Sequence, residues 1–178
     1  KEITKRYIAD CKIYNKYGPT ETTISSVIGQ IRNVEDSKIG TPISNTQVYI
    51  LDEVNQPLPI GVTGKIFISG AGVARGYLNQ PELTAEKFVA NPFKEGERMY
   101  ETGDIGRWLP DGNIEYIGRK DDQVKIRGYR IELGEIETAL QKHTNIDGAV
   151  VIAKPNEQGE KELVAYIVSK EALNSTDI

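Results

Sequence analysis

The chain has 178 residues, and its 22 Lys and Arg against 26 Asp and Glu give a formal net charge of −4. An acidic chain binds a polyphosphate backbone poorly, so no nucleic-acid partner is expected. With a single cysteine, Cys11, and a single histidine, His143, the sequence excludes a disulfide framework, a Cys/His zinc site and a histidine-based triad. Any chemistry must therefore use carboxylates, hydroxyls, Lys, Arg and backbone groups.

The apolar runs at 149–153 and 163–168 are much shorter than the ~20 residues that span a bilayer. The first residues include no apolar signal core, so we expect a cytoplasmic protein without membrane contact. The chain begins without Met and ends after a polar run, and we expect it to be a piece of a longer protein.

Short stretches of β-forming residues, separated by turns, fill the first part of the chain. Residues 47–51 and 65–68 have the composition of strands. A Pro-Asp-Gly turn predicts a hairpin that joins 107–109 to 113–117. Residues 81–88 are compatible with a short helix.

The last third of the chain combines one helical pattern with strands. Residues 124–127 alternate apolar and basic side chains, as a strand with one solvated face does. The apolar spacing in 134–143 predicts an amphipathic helix. Two strands that look buried, 149–153 and 163–168, follow it.

The predicted fold class is α+β. Four consecutive charges at 119–122 divide a β-rich first part from a β-α-β-β second part. We place a domain boundary there, which gives a β-rich unit at 1–120 and a small α+β unit at 121–178.

The densest cluster of functional side chains is 15–23, where a Gly-Pro pair imposes a turn. The turn is expected to hold Tyr17, Thr20 and Glu21 on one loop. A tyrosine ring can stack on a base, a hydroxyl can meet a phosphate oxygen, and a lone carboxylate can hold Mg²⁺ that water and phosphate otherwise ligate. The same composition also occurs in ordinary turns, so this cluster alone decides nothing.

Two further clusters lie near the predicted boundary. Asp104 follows Gly103 at the predicted start of a strand; it can accept from two vicinal hydroxyls, as an acidic residue does for ribose, or it can bond its own turn backbone. Five cations occur in 118–137, where Arg119 can fork onto a phosphate or a ribose. A salt-bridged surface strand explains that run equally well.

Four segments of the chain share the order and spacing of a known family. They are 15–21, 64–78 (GKIFISGAGVARGYL), 100–104 (YETGD) and 118–137 (GRKDDQVKIRGYRIELGEIE). Together they closely resemble the adenylation domains of nonribosomal peptide synthetases, in the adenylate-forming superfamily with acyl-CoA synthetases and luciferases. The resemblance implies that 1–120 is the C-terminal part of the large subdomain and 121–178 most of the small one, with a hinge near Asp121.

The resemblance implies a two-step reaction that uses ATP and Mg²⁺. A carboxylate attacks the α-phosphate of ATP to give an acyl-adenylate and pyrophosphate, and a phosphopantetheine thiol then takes the acyl group. The implied partners are an amino acid substrate, a peptidyl carrier domain, the remainder of the adenylation domain and a condensation domain in the parent protein.

The resemblance also assigns a role to individual positions around the nucleotide. Asn15 would meet the adenine edge, Tyr17 the adenine face, Thr20 the α-phosphate, Glu21 the Mg²⁺, Asp104 the ribose hydroxyls, and Tyr116 and Arg119 the ribose–phosphate region. Thr20, Glu21 and Arg119 would be the catalytic residues.

Three positions that line the substrate pocket in the family fall on Lys16, Ile24 and Ser25. The basic Lys16 favours a substrate with a polar or acidic side chain. Lys16 directed into solvent is the simpler alternative.

The hinge residue itself would be Asp121. Rotation there would bring Lys125 and the loop formed by Gly128, Tyr129 and Arg130 toward the site for thioester formation.

In this family the lysine that contacts both the carboxylate and the α-phosphate lies beyond Ile178, and the phosphate-gripping loop lies before Lys1. We therefore expect the isolated chain to be inactive. Two alternatives stay open: an acyl- or aryl-CoA ligase of the same superfamily, with free CoA as the acceptor, and a non-catalytic nucleotide-binding module.

Overall fold

The structure is a computed structural model that describes residues 6–33, 38–120, 123–126, 129–156 and 159–171. The chain forms two compact units, Lys1–Lys120 and Asp121–Ile178. Strands outnumber helices in both units, which confirms the predicted α+β class with a β-rich first part. Among the residues that the structure describes, no helix combines the length and apolar character that crossing a membrane requires.

The first unit contains one antiparallel sheet of eight strands. The strands are β1 (Ile13–Tyr17), β2 (Val27–Ile31), β3 (Lys38–Pro42), β4 (Thr46–Leu51), β5 (Gly64–Gly70), β6 (Phe88–Ala90), β7 (Arg98–Trp108) and β8 (Ile114–Arg119). Their hydrogen-bonded order is β1-β2-β3-β8-β7-β5-β4, and β6 pairs with β7. A 3-10 helix, Thr20–Thr22, follows β1, and helix α1, Pro81–Lys87, precedes β6.

Strand β5, which lies between β4 and β7, is buried on both faces. Because side chains alternate along a strand, Ile66 and Ile68 join one apolar cluster while Phe67 joins another with Leu51 and Met99. Full burial of side chains of this size contributes about 1.5–3 kcal/mol each. These two clusters hold β4, β5 and β7 together, and the first cluster also receives side chains from β1 and β8.

Several local predictions are confirmed. The strands predicted at 47–51 and 65–68 are β4 and β5, and the short helix predicted from Pro81 is α1. The Pro-Asp-Gly turn joins β7 to β8: Leu109 N–H donates to Asn113 O over 2.8 Å, and Gly112 N–H donates to Leu109 O over 3.0 Å.

Two predictions for the functional clusters are wrong. Tyr17 lies on strand β1 and not on a loop, because 13–17 pairs in register with β2. Asp104 lies inside the long strand β7, where it pairs with Arg119 of β8, and not at the start of a strand. Asn15 and Lys16 in the first segment, and Gly103 and Asp104 in the second, are residue types that strands disfavour, and pairing with neighbouring strands overrides that local preference.

The second unit has the order β-β-α-β-β, one strand more than predicted. Its elements are β9 (Val124–Ile126), β10 (Tyr129–Ile131), α2 (Leu133–Gln141), β11 (Ile146–Pro155) and β12 (Lys161–Ser169). Strands β9 and β10 form one antiparallel pair, and β11 and β12 form another. Helix α2 packs against β11, where the Val151 N–H donates to Glu137 Oε1 over 2.8 Å.

The extra strand falls on the predicted thiolation loop. Tyr129 and Arg130 lie on β10, because Tyr129 pairs with Ile126 and Arg130 with Lys125 in the β9–β10 ladder. Asp121 and Gly128 lie outside the described residues.

Candidate nucleotide-binding site

The turn between β1 and β2 is tightly folded. The Ser26 N–H donates to Tyr17 O over 2.8 Å, and a Cβ on Gly18 would lie only 2.7 Å from the Ser26 nitrogen, so glycine is required there. Thr23 and Ile24 both have positive φ, 61° and 69°. Since L residues rarely adopt this conformation, the turn carries backbone strain, and the surrounding contacts must offset its energetic cost.

Tyr17, Asp104 and Arg119 meet directly. The Tyr17 hydroxyl donates to Asp104 Oδ2 over 2.5 Å, and Arg119 Nη1 donates to Asp104 Oδ1 over 2.9 Å. The Asp104 residue is only 6% exposed. The carboxylate is therefore held at both oxygens in a nearly buried position, where each of these bonds is charge-assisted.

A bulge in β7 sets the position of Asp104. Three residues of β7, 102–104, face a single residue of β5 at this point, and Gly103 has a φ of 74° that favours glycine. The Thr102 hydroxyl donates to Ile66 O over 2.8 Å and accepts from the Asp104 N–H over 3.0 Å. These bonds satisfy the backbone groups that the bulge removes from the ladder.

The Tyr17 side chain is half-buried beside a second tyrosine ring. Its ring centroid lies 6.2 Å from that of Tyr116, with the planes at 47°. Burial raises the pKa of the Tyr17 phenol far above its ordinary value, and the negative charge of Asp104 raises it further. The phenol therefore keeps its proton and acts as a donor to Asp104.

Glu21 lies four positions after Tyr17, in the 3-10 helix, and is 9% exposed. Its Oε1 accepts from the Tyr77 hydroxyl over 2.8 Å, and the Tyr77 and Tyr100 hydroxyl oxygens lie 3.3 Å apart. Burial raises the pKa of Tyr77 far above its usual range, and hydrogen bonds with Tyr100 and Glu21 add to the effect. Tyr77 thus remains a neutral donor to the carboxylate.

The other residues that the sequence predicts at the nucleotide lie on β1, the 3-10 helix and β8. Asn15 and Tyr17 are half-buried and share one side of β1, because alternate residues of a strand face the same way. Thr20 is exposed at the start of the 3-10 helix, and Tyr116 is half-buried on β8 beside the first apolar cluster.

The three pocket positions are more open. Lys16 is exposed, on the side of β1 opposite to Tyr17. Ile24 is 75% exposed in the turn, and Ser25 beside it is half-buried. The β9 and β10 residues Lys125, Tyr129 and Arg130 belong to the second unit.

The described residues are better suited to Mg²⁺ than to a metal ion that is surrounded by protein ligands alone. Among them, no group of three or more His, Cys, Asp or Glu can hold an ion. Mg²⁺ is usually held by one or two carboxylates, with phosphate oxygens and water as its other ligands. The carboxylate of Glu21 could supply one such ligand.

Two cavities are present among the described residues of the first unit. One, of about 460 Å³, is lined by residues of 45–47, 70–73 and 94–98, and the other, of about 820 Å³, by residues of 75–88 and Arg98. Neither is lined by Tyr17 or Asp104. The second cavity is lined by Tyr77, whose hydroxyl contacts Glu21.

Sequence reasoning missed two residues of the site, Tyr77 and Thr102. Both lie in segments that carry the family resemblance, 64–78 and 100–104, but no role was predicted for either. The available signal was an aromatic residue placed directly after Gly76, since glycine commonly marks a backbone conformation that other residues rarely adopt.

Comparison with known proteins identifies the family. The family model described as AMP-binding enzyme matches residues 1–78. Bacitracin synthase 3 of Bacillus licheniformis is 54% identical over 177 residues, which are 99% of this chain and 3% of that relative. A solved structure of PA1221, an NRPS protein containing adenylation and PCP domains, has a TM-score of 0.79 and 32% identity, and the match covers 94% of this chain and 34% of that one. The chain belongs to the adenylation domains of nonribosomal peptide synthetases.

Other relatives support the same assignment of this adenylation-domain chain. Tyrocidine synthase 3 of Brevibacillus parabrevis is 54% identical over 98% of the chain, which spans 3% of that relative. A four-domain nonribosomal peptide synthetase, AB3403, solved with AMP and glycine, is 40% identical with a TM-score of 0.63; the match covers 98% of this chain and 13% of that one. The chain therefore spans a small part of the synthetases that it resembles.

Proposed function

We propose that this chain is part of a domain that forms an aminoacyl-adenylate from ATP and an amino acid, and then passes the acyl group to a phosphopantetheine thiol on a peptidyl carrier domain. The remainder of the adenylation domain and a condensation domain would complete the parent protein. The observation that carries the proposal is the contact of Tyr17 and Arg119 with one buried carboxylate, Asp104, beside the turn that holds Glu21.

In this proposal the group binds the nucleoside of ATP. Asn15 meets the adenine edge, the Tyr17 ring its face, and Asp104 the ribose hydroxyls. Arg119 stabilises the charged form of Asp104, which a buried carboxylate needs in order to accept hydrogen bonds. A carboxylate has about four acceptor positions, so bonds to Tyr17 and Arg119 are compatible with bonds to ribose.

In the same proposal, the turn after β1 binds the phosphates of ATP. The substrate carboxylate forms a bond to the α-phosphorus while the bond from that phosphorus to the bridging oxygen breaks, and pyrophosphate leaves with the electron pair. The Thr20 hydroxyl donates a hydrogen bond to an oxygen of the α-phosphate, and Glu21 would hold Mg²⁺. Bound Mg²⁺ offsets the negative charge that builds up on the phosphates. Arg119 and Tyr116 contact the ribose–phosphate region.

We assign the two units to the two subdomains of the family. Lys1–Lys120 is then the C-terminal part of the large subdomain and Asp121–Ile178 most of the small one, with Asp121 as the hinge. Lys125, Gly128, Tyr129 and Arg130 act in thioester formation. We infer that the 178 residues alone do not catalyse adenylation, since the phosphate-gripping loop and the lysine that contacts the α-phosphate lie outside them in the family.

The test separates amino acid activation from the alternative, an acyl- or aryl-CoA ligase. The complete adenylation domain is assayed for ATP–pyrophosphate exchange with a panel of amino acids and aryl acids, and then for acyl transfer to a carrier domain or to free CoA. We expect amino-acid-dependent exchange and transfer to the carrier thiol. Exchange with aryl acids only, or transfer to CoA only, would contradict the proposal, and no exchange at all favours the non-catalytic module.

A further inference from the structure

Tyr77 follows Glu21 by 56 positions and contacts its carboxylate directly. The Tyr77 hydroxyl has one proton, which it donates to Glu21 Oε1 over 2.8 Å. In the 3.3 Å contact between the two phenols, the donor must then be Tyr100. The three side chains form a hydrogen-bonded chain from Tyr100 through Tyr77 to Glu21, in which each bond polarises the next.

The position of Tyr77 is fixed through both its ring and its backbone. The ring meets Phe88 at 5.4 Å in an edge-on geometry of 71°. The Tyr77 N–H donates to Thr84 Oγ1 over 2.9 Å. Gly76 has a φ of 143°, and a Cβ there would lie 2.4 Å from Thr84 Cγ2, so glycine is required for this close approach. The phenol can therefore act as a rigid support.

The segment before Tyr77 also holds the backbone around Glu21. The Ala74 N–H donates to Glu21 O over 2.8 Å, and the Thr23 hydroxyl donates to Gly72 O over 2.8 Å. The backbone and the carboxylate of Glu21 are thus held by one stretch of chain, 72–77.

We infer that Tyr77 is a positioning residue, which sets the orientation of the Glu21 carboxylate for the magnesium ion of the bound nucleotide. The inference rests on the proposed function, in which Glu21 holds that ion. Carboxylates that ligate metals are commonly hydrogen-bonded themselves, and loss of such a partner typically costs about 10–100-fold in metal affinity or activity. Tyr77 acts through Glu21 and does not touch the reacting atoms.

The test uses Tyr77→Phe in the complete adenylation domain, which keeps the ring against Phe88 and removes only the hydroxyl. ATP affinity is measured by calorimetry with Mg²⁺ and again with EDTA, and the ratio of the two affinities reports the metal-dependent part of binding. Glu21→Gln is the reference for a lost metal ligand. Tyr49→Phe is the matched control, because its hydroxyl accepts from Asn91 Nδ2 over 3.3 Å elsewhere in the same unit.

We expect Tyr77→Phe to lower the Mg²⁺-dependent affinity about tenfold and to leave the affinity in EDTA unchanged. Tyr49→Phe leaves both unchanged. Thr84→Val, which removes the acceptor of the Tyr77 N–H, is a second variant and should give a smaller loss in the same direction. A purely structural role would instead lower both affinities together, and that result overturns the inference.

Failure of the inference and failure of the proposed function give different results. If Glu21→Gln loses the Mg²⁺-dependent affinity while Tyr77→Phe matches the wild type, the inference is wrong and the proposed function stands. If Glu21→Gln itself keeps the Mg²⁺-dependent affinity, Glu21 is not the metal ligand, and both are wrong on this point.

Discussion

The hydroxyl of Tyr17 donates to Asp104 although 87 positions separate the two residues in the chain. Their strands are not neighbours: β2, β3 and β8 lie between β1 and β7 in the sheet order. At about 4.8 Å per strand, four spacings in a flat sheet would cover roughly 19 Å. The contact therefore requires a sheet that is curved enough to bring β1 close to β7.

Tyr17→Phe should weaken both the fold and nucleotide binding. The change keeps the ring beside Tyr116 but leaves Asp104 without one of its donors, which typically costs about 1–3 kcal/mol of unfolding free energy. We expect a higher KM for ATP and an unchanged KM for the amino acid. Urea unfolding and ATP–pyrophosphate exchange measure the two effects. An unchanged stability would mean that the Tyr17–Asp104 bond is not maintained in solution.

Arg119→Ala should destabilise the first unit strongly. The side chains of Arg119 and Asp104 are 17% and 8% exposed, and removal of one partner of a buried pair typically costs about 3–5 kcal/mol. Arg107→Ala is the matched control, since Arg107 pairs with Glu115 over 2.6 Å on the same two strands but its side chain is 40% exposed. Exposed pairs are worth about 0–1 kcal/mol. Equal losses in urea unfolding would argue against a buried, coupled pair at Arg119.

The raised pKa of Tyr17 predicts a loss of stability at alkaline pH. The folded state keeps a proton that the unfolded chain releases near pH ~10, so the contribution of the phenol is complete below that pH and falls as pH rises. The slope is about 1.4 kcal/mol per pH unit while only the unfolded state is ionised. Urea unfolding between pH 8 and about 11 should be less pH-dependent in Tyr17→Phe than in the wild type. Parallel curves would contradict the raised pKa of this phenol.

Much of the fold could be predicted from the sequence, because it depends on local patterns. The β7–β8 hairpin follows from its turn residues, and α1 and α2 follow from Pro81 and from apolar spacing. Strand β1 and the bulge at 102–104 could not be predicted, since neighbouring strands impose both. The bond from Tyr77 to Glu21 could not be predicted either, because it joins two connecting segments that lie 56 positions apart in the chain.

Lys16→Ala tests the substrate hypothesis. Lys16 is exposed on the side of β1 opposite to Tyr17, so the change should leave unfolding and the KM for ATP unaltered. If Lys16 meets a polar or acidic substrate side chain, the variant should lose activity with such amino acids and keep it with aliphatic ones. Exchange measured over an amino acid panel decides this. A preference for a bulky aliphatic residue that is the same in wild type and variant would end the hypothesis.

The central claim is that Asp104 binds the ribose of ATP. The most direct test is the KM for ATP of Asp104→Ala in the complete domain. Asp111→Ala is the control: Asp111 lies on the same hairpin and pairs with Lys38 over 2.7 Å, but on the exposed turn. If Asp104 binds the ribose, the KM for ATP should rise by about tenfold or more, as expected for lost hydrogen bonds to a charged group, while the KM for the amino acid and the Asp111→Ala values stay at the wild-type level. A folded Asp104→Ala domain with wild-type kinetics for ATP would contradict the account.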